Sequence, residues 1–328
     1  MINTDKREVV RLCPSYDLYL TMSWTRTARH GISGHLYEMI EYYFILNSAG
    51  IRTGILICED MLKDTFIKSV STKYEISDHE MTKISNDVFF HSRPTRLYGR
   101  NILVVDGNFT RNLIPSGIHM FFKNIFAFRC SPQDTHYNLP WPYDNIKLLQ
   151  DNRVYNDSDT SISIDYKKKI LFSRFKKYNS MSEKHTGMLY ITKNCRMMSR
   201  DELTACLYEN SKQCERFIIL TDVSHLIRGW ELKFDIEILD LPVTNIFDLF
   251  DVYIYTPTKT KTGPFDCSPR FIAECKFYGK EVVYHNIDTE YLAKDTGLFY
   301  RRCDIENDFD SICLKDNDSI IEIISDNI

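Results

Sequence analysis

Short apolar runs alternate with longer amphipathic stretches along this chain, a pattern that predicts an α/β protein. DLYLTMS (17–23) predicts a strand, followed by the polar turn TRTARHGISG. HLYEMIEYYFILNSAG then predicts a helix. Leu36, Ile40, Tyr43, Phe44 and Leu46 recur there at helical spacing, and Gly50 supplies a C-terminal stop. IRTGILIC (51–58), NDVFFH (86–91), RNILVVDG (100–107) and KNIFAFRC (123–130) predict further strands, with helices or loops between them.

The pattern lapses between Ser131 and Ser163. SPQDTHYNLPWPYDN carries three prolines and DNRVYNDSDTSIS is polar and turn-rich, so no helix or strand is expected there. This places an interdomain boundary near 145–165, with one domain over 1–160 and a second over 161–328. After the basic run DYKKKILFSRFKK the alternation resumes. GMLYITKN (187–194), ERFIILTDV (215–223), FDIEILDL (234–241), FDVYIYTP (250–257) and KEVVYHNI (280–287) predict strands. SRDELTACLYENSKQ (199–213) predicts a helix opened by a capping box of Ser199 and Glu202. Two Rossmann-like halves are the economical reading.

Composition narrows the class. The 328 residues are 43% hydrophobic and 26% charged, an ordinary globular balance. Only 12 Gly and 10 Pro argue against a disordered or fibrous chain. A net charge of −4 argues against a surface coated in basic residues, while permitting a local basic cleft. The 10 Cys include no Cys-x-x-Cys pair, so a structural zinc site is not expected. With no signal pattern and no apolar run of about 18 residues, a cytoplasmic protein without a membrane span is expected.

Open α/β sheets bind ligands at the carboxyl ends of their strands, beside helix N-termini. Two stretches fit. HGISG (30–34) leads into the first predicted helix, where free amides favour an anion, although it also reads as an ordinary strand-to-helix turn. It is not the dinucleotide fingerprint, which counts against a Rossmann oxidoreductase. FDCSPRFIAECKFYGKEVVYH (265–285) predicts a helix over 269–278, with Ser268 as N-cap, Pro269 in its first position and Gly279 just past its end. Arg270 opposes the helix dipole in the first turn, which an anion bound nearby would compensate. Glu274 lies among Ala273 and Cys275. It is suited to a sugar diol, or else faces solvent or pairs with Arg270 at i,i+4.

The segment from Phe250 to Tyr284 resembles the nucleotide-sugar-binding segment of the GT-B glycosyltransferases. In the retaining branch two glutamates stand eight positions apart, with a glycine five residues beyond the second and then an apolar strand. Asp266, Glu274, Gly279 and the run VVY have those offsets here, with Asp266 where the family usually has Glu. The resemblance implies a GT-B-like architecture: an acceptor-side domain and a donor domain, both Rossmann-like, facing a central cleft. It implies that Glu274 holds the donor ribose and that Asp266 lies near the transferred sugar. The amides around Cys267 and Ser268 would cradle phosphate or sugar oxygens. Gly31, Ser33 and Gly34 would approach the diphosphate, and Lys193, Arg196 and Arg270 are candidates to neutralise it as it leaves. The donor implied is a nucleotide diphosphate sugar, UDP-sugar first, with no further cofactor required and with a monomeric enzyme.

Other residues bear on the acceptor. Asp106 ends the strand NILVVD and is either a general base or a cap for the next turn. Asp157-Ser-Asp159 sits in a polar loop rather than at a strand end, so no metal site is expected. Arg129, His119 and His136 fall in the acceptor half. TRTARH (25–30), HSRPTRLYGR (91–100) and KKKILFSRFKK (167–177) are basic clusters beside aromatics such as Tyr98. They are solvated surface by default, or they track a phosphate backbone through Arg93, Arg96 and Arg100. The length and the Asn-, Ile-, Lys- and Asp-rich composition resemble bacteriophage glycosyltransferases that modify hydroxymethylated pyrimidines in DNA, and the partner implied is double-stranded DNA bearing hydroxymethylated bases. The rival acceptors are a cell-envelope glycan or a small molecule. The rival class is a non-catalytic binding module. The Asp-to-Glu spacing leans toward retention of configuration.

Overall fold

The computed structural model describes residues 8–22, 34–58, 63–91, 95–105, 118–128, 146–150, 163–165, 171–177, 185–192, 197–241, 243, 245–256, 259–260, 263–264, 270–285 and 318–328. The chain is a mixed α/β protein in two units, one of Met1–Arg174 with Leu314–Ile328, the other of Phe175–Cys313.

The first unit is built on strands β1 (Glu8–Arg11), β2 (Leu18–Thr21), β3 (Thr53–Cys58), β4 (Val88–His91), β5 (Thr95–Val104), β6 (Ile118–Phe128), β7 (Ile146–Gln150) and β8 (Ser163–Asp165). Its helices are α1 (Gly34–Ser48), α2 (Lys63–Lys73), α3 (Asp78–Asp87) and the returning C-terminal helix, Asp318–Ser325. The sheet runs β4-β3-β2-β5-β6-β7-β8, with β1 paired to the first half of β5 on the edge that β2 takes further along. Every pairing is parallel. Strand order reverses between β2 and β5, the Rossmann-like arrangement. A parallel strand covered on both faces should be apolar throughout rather than alternating, and β2 is buried at all of its positions.

Local chemistry ends α1 as predicted. Gly50 adopts φ +85°, its N–H bonds the Asn47 carbonyl at 3.1 Å, and the Ile51 N–H bonds the Leu46 carbonyl at 3.0 Å. This is the Schellman arrangement, which needs a left-handed residue at that position. On the inner face of α1, Leu36, Ile40, Tyr43, Phe44 and Leu46 are all buried.

The expectation of no element between 131 and 163 is corrected, because β7 lies inside that stretch. Its IKLLQ is too short to show a period, and its backbone is satisfied by β6, far away in sequence. The helix at Asp318–Ser325 was likewise not predicted. It buries Ile320 and Ile324, and the carbonyl of Asn327 beyond it accepts from Asn124 Nδ2 at 2.8 Å.

Arg174 ties a turn of the first unit to its helices. It donates to Glu80 at 2.7 Å, its carbonyl accepts from the Glu75 N–H at 2.8 Å, and its guanidinium lies 4.8 Å from the Phe44 ring centre. The Arg174 hydrogen bond, then the Ser77 amide of the α3 capping box, pull the Glu80 carboxyl from 4.5 down to about 2. A depressed carboxylate contributes stability above its unfolded value, and that contribution disappears as pH falls through the folded one. Acid unfolding is therefore expected to draw on Glu80 between pH 4.5 and about 2. Arg174→Gln should flatten the stability-versus-pH curve within that window and leave it unchanged near neutrality in slope. The pair is partly exposed, so the effect is screened by salt.

The second unit has strands β9 (Thr186–Ile191), β10 (Arg216–Thr221), β11 (Ile236–Asp240), β12 (Val252–Tyr255), the short ladder β13 (Lys259–Thr260) with β14 (Gly263–Pro264), and β15 (Glu281–Tyr284). Its helices are α4 (Arg200–Asn210), α5 (Ser224–Ile227) and α6 (Arg270–Phe277). The main sheet runs β11-β10-β9-β12-β15, all parallel, with its reversal between β9 and β12. The predicted capping box opens α4: the Glu202 N–H bonds Ser199 Oγ at 3.2 Å, and the Ser199 N–H bonds Glu202 Oε2 at 2.8 Å. Leu203, Cys206 and Leu207 of α4 pack on Leu189, Ile191, Phe217, Ile219 and Ile254 to form the core.

Candidate functional site

In each unit the carboxyl ends at the strand-order reversal are where a ligand is expected. In the second unit the chain leaves β9 at Thr192 and β12 at Thr256. Lys193 and Arg196 follow the first, and Asp266, Cys267 and Ser268 the second; these five lie outside the described residues. In the first unit the chain leaves β5 at Val105, whose N–H bonds the Thr21 carbonyl of β2 at 2.8 Å. Asp106 is the next residue and lies outside the described ones, as do Gly31, Ser33, Arg93, Arg129, His136, Asp157 and Asp159. Gly34 is the first residue of α1. Arg96 and Arg100 lie on β5, Arg100 exposed, and His119 stands opposite Arg96 in register on β6.

Helix α6 is the best-described part of the candidate site. It is closed as the sequence predicts: Gly279 has φ +68°, its N–H bonds the Lys276 carbonyl at 3.0 Å, and the Lys280 N–H bonds the Cys275 carbonyl at 2.8 Å. Ile272, Ala273, Glu274 and Cys275 are all buried, so one carboxylate sits inside an otherwise apolar turn. Arg270 Nε donates to Glu274 Oε1 at 2.6 Å, and the two side chains are 9% and 4% exposed. The cation that opposes the helix dipole is thus compensated from within the helix. Of the alternatives the sequence leaves open, the i,i+4 pair is present and solvent exposure of Glu274 is not.

Aromatic rings fix this helix. Phe271 stacks on Phe247 at 5.1 Å between centroids and meets Tyr253 edge-on at 4.9 Å. Tyr278 lies 4.5 Å from Phe247 and donates to the Lys176 carbonyl at 3.0 Å. The Arg270 guanidinium lies 5.8 Å from the Phe175 ring centre. Lys280, which sequence reasoning did not single out, is buried beside Phe250, with burial pulling its pKa down against the opposing effect of Asp251 and Asp248. Burial pushes the thiol of Cys206 up to about 12, that of Cys214 up to about 11, and that of Cys275 well above its ordinary value. None of these three is a thiolate nucleophile at neutral pH.

Among the described residues no group of three or more His, Cys, Asp or Glu is placed to hold a metal ion. Nor is any described helix long and apolar enough to cross a membrane.

No protein-family model matches the chain, and no curated protein matches it. Among solved structures it is similar to a glycosyltransferase from Rickettsia africae ESF-5, at 12% identity and a TM-score of 0.43, over 95% of this chain and 94% of that one. It is also similar to MurG of Acinetobacter baumannii, at 9% identity and a TM-score of 0.36, over 94% of this chain and 99% of that one. At these identities and scores neither likeness assigns a donor or an acceptor to this chain.

Proposed function

We propose that the protein is a GT-B-like glycosyltransferase that moves a sugar from a nucleotide diphosphate sugar, UDP-sugar first, to a hydroxyl acceptor. The observation that carries this reading is α6 in its setting. A buried carboxylate stands one turn into a helix that follows the fourth strand of a parallel sheet ordered β11-β10-β9-β12-β15, and a left-handed glycine closes that helix before β15. The offsets of Asp266, Glu274 and Gly279 are those of a donor-binding segment. A second Rossmann-like sheet in the same chain supports it.

In this reading Glu274 accepts from the ribose hydroxyls while Arg270 holds its carboxylate in place. Amides at Cys267 and Ser268, with Lys193 and Arg196, bind the diphosphate and stabilise the negative charge that grows on it as the glycosidic bond breaks. Asp266 lies by the transferred sugar. Gly31, Ser33 and Gly34 offer backbone amides to phosphate, and Asp106 takes the acceptor proton. The acceptor proposed is a 5-hydroxymethylated pyrimidine of DNA, because Arg96 and Arg100 add cations to a chain of net charge −4, with Arg93, Arg129 and His136 as further contacts.

The test is release of UDP from a panel of UDP-sugars, with and without hydroxymethylated DNA. Release from at least one sugar, increased by that DNA, is expected. Release increased by an envelope glycan or small alcohol instead would move the acceptor. No release from any donor, with or without acceptor, would leave a non-catalytic module.

A further inference from the structure

One face of the first sheet carries a row of side chains that donor binding does not use. On β5 and β6, Leu97, Met120 and Phe122 are buried in the core. Their neighbours Arg96, Tyr98 and Phe121 are only partly buried, while Val9, Arg11, Arg100 and Lys123 are exposed. Register sets Arg11 against Tyr98 and Tyr98 against Phe121, so these three share a face. The Tyr98 and Phe121 rings are stacked, centroids 4.7 Å apart and planes within 11°. The Arg11 guanidinium lies 5.9 Å from the Tyr98 ring centre, continuing the row. On the other side β7 begins only at Ile146, opposite Ile125, so no described strand flanks Phe121 there.

Parallel sheets are ordinarily covered by helices on both faces, and a covered face is apolar. This one presents cations and stacked rings instead. It also lies at the amino-terminal half of β5, away from the carboxyl end of that strand, which Asp106 follows.

We propose that this face is a platform for single-stranded nucleic acid. An unpaired base stacks on the row Arg11–Tyr98–Phe121, and Arg100 meets a flanking phosphate. Stacking rings beside cations suit a strand whose bases are free, whereas a duplex keeps its base faces inside and a polyphosphate has none to offer. Arg11 and Arg100 are exposed cations on these strands in a chain of net charge −4, and exposed cations favour an anionic partner. The proposal rests on the nucleic-acid reading of the acceptor for its role and replaces the expected duplex with an unpaired strand, while binding itself requires no donor.

The test is fluorescence anisotropy of the whole chain with a labelled oligothymidylate of about 15 nucleotides, with the matching duplex and inorganic polyphosphate as competitors. Wild type should prefer the single strand, with affinity falling as salt rises. Tyr98→Leu and Phe121→Leu should each weaken single-strand binding roughly 5- to 150-fold and leave polyphosphate binding unchanged. Arg100→Glu should weaken both. Equal loss of both ligands in the ring variants, preference for the duplex, or no binding by wild type would each overturn the platform. UDP-induced stabilisation measured on the same variants separates the two readings. If it persists without oligonucleotide binding, only the platform fails; if oligonucleotide binds but UDP does not stabilise, only the donor reading fails.

Discussion

Glu274→Ala is expected to lower the free energy of unfolding by about 3–5 kcal/mol, because it removes the carboxylate to which the buried Arg270 guanidinium donates. With the side chains of Arg270 and Glu274 only 9% and 4% exposed, water cannot take over the lost partner without opening the helix. The converse matters as much. The double variant Arg270→Met, Glu274→Leu removes both charges at similar volume, and replacing a whole buried pair by apolar residues is often neutral or stabilising. Urea denaturation of the three proteins measures this directly. A cost below about 1 kcal/mol for Glu274→Ala would mean that the pair is not what holds α6. The double variant also isolates function. It should fold, yet lose its response to UDP if Arg270 and Glu274 belong to the donor site. A wild-type response would remove both from the donor site and leave them a structural pair.

Features with local causes were legible in the sequence. Gly50 and Gly279 end their helices because each occupies a left-handed position that other residues adopt only under strain. Ser199 and Glu202 cap α4 reciprocally across three residues. The central strands β2, β10 and β12 were readable because strands buried on both faces show as unbroken apolar runs.

What escaped depends on distant partners. IKLLQ becomes β7 only through β6, and the C-terminal helix joins the first unit through Ile320, Ile324 and the Asn124–Asn327 hydrogen bond. Helices α2 and α3 showed little period because they bury few side chains, among them Phe66, Val70 and Ile84. At the candidate site the i,i+4 spacing of Arg270 and Glu274 was visible. Their burial was not, because Phe175 and Phe247 come from elsewhere in the chain. RLYGR reads in the sequence only as part of a basic cluster; pairing with β6 makes it strand and brings Phe121 onto Tyr98.

The central claim, a nucleotide-sugar site in this chain, is tested most directly by thermal unfolding with excess UDP, with NAD as the control. A ligand that binds only the native state stabilises it by RT ln(1 + [L]/Kd), about 2.7 kcal/mol at 100 times its dissociation constant. The account predicts a rise in Tm with UDP and none with NAD. A rise with NAD alone, or none with UDP at any concentration, would contradict it.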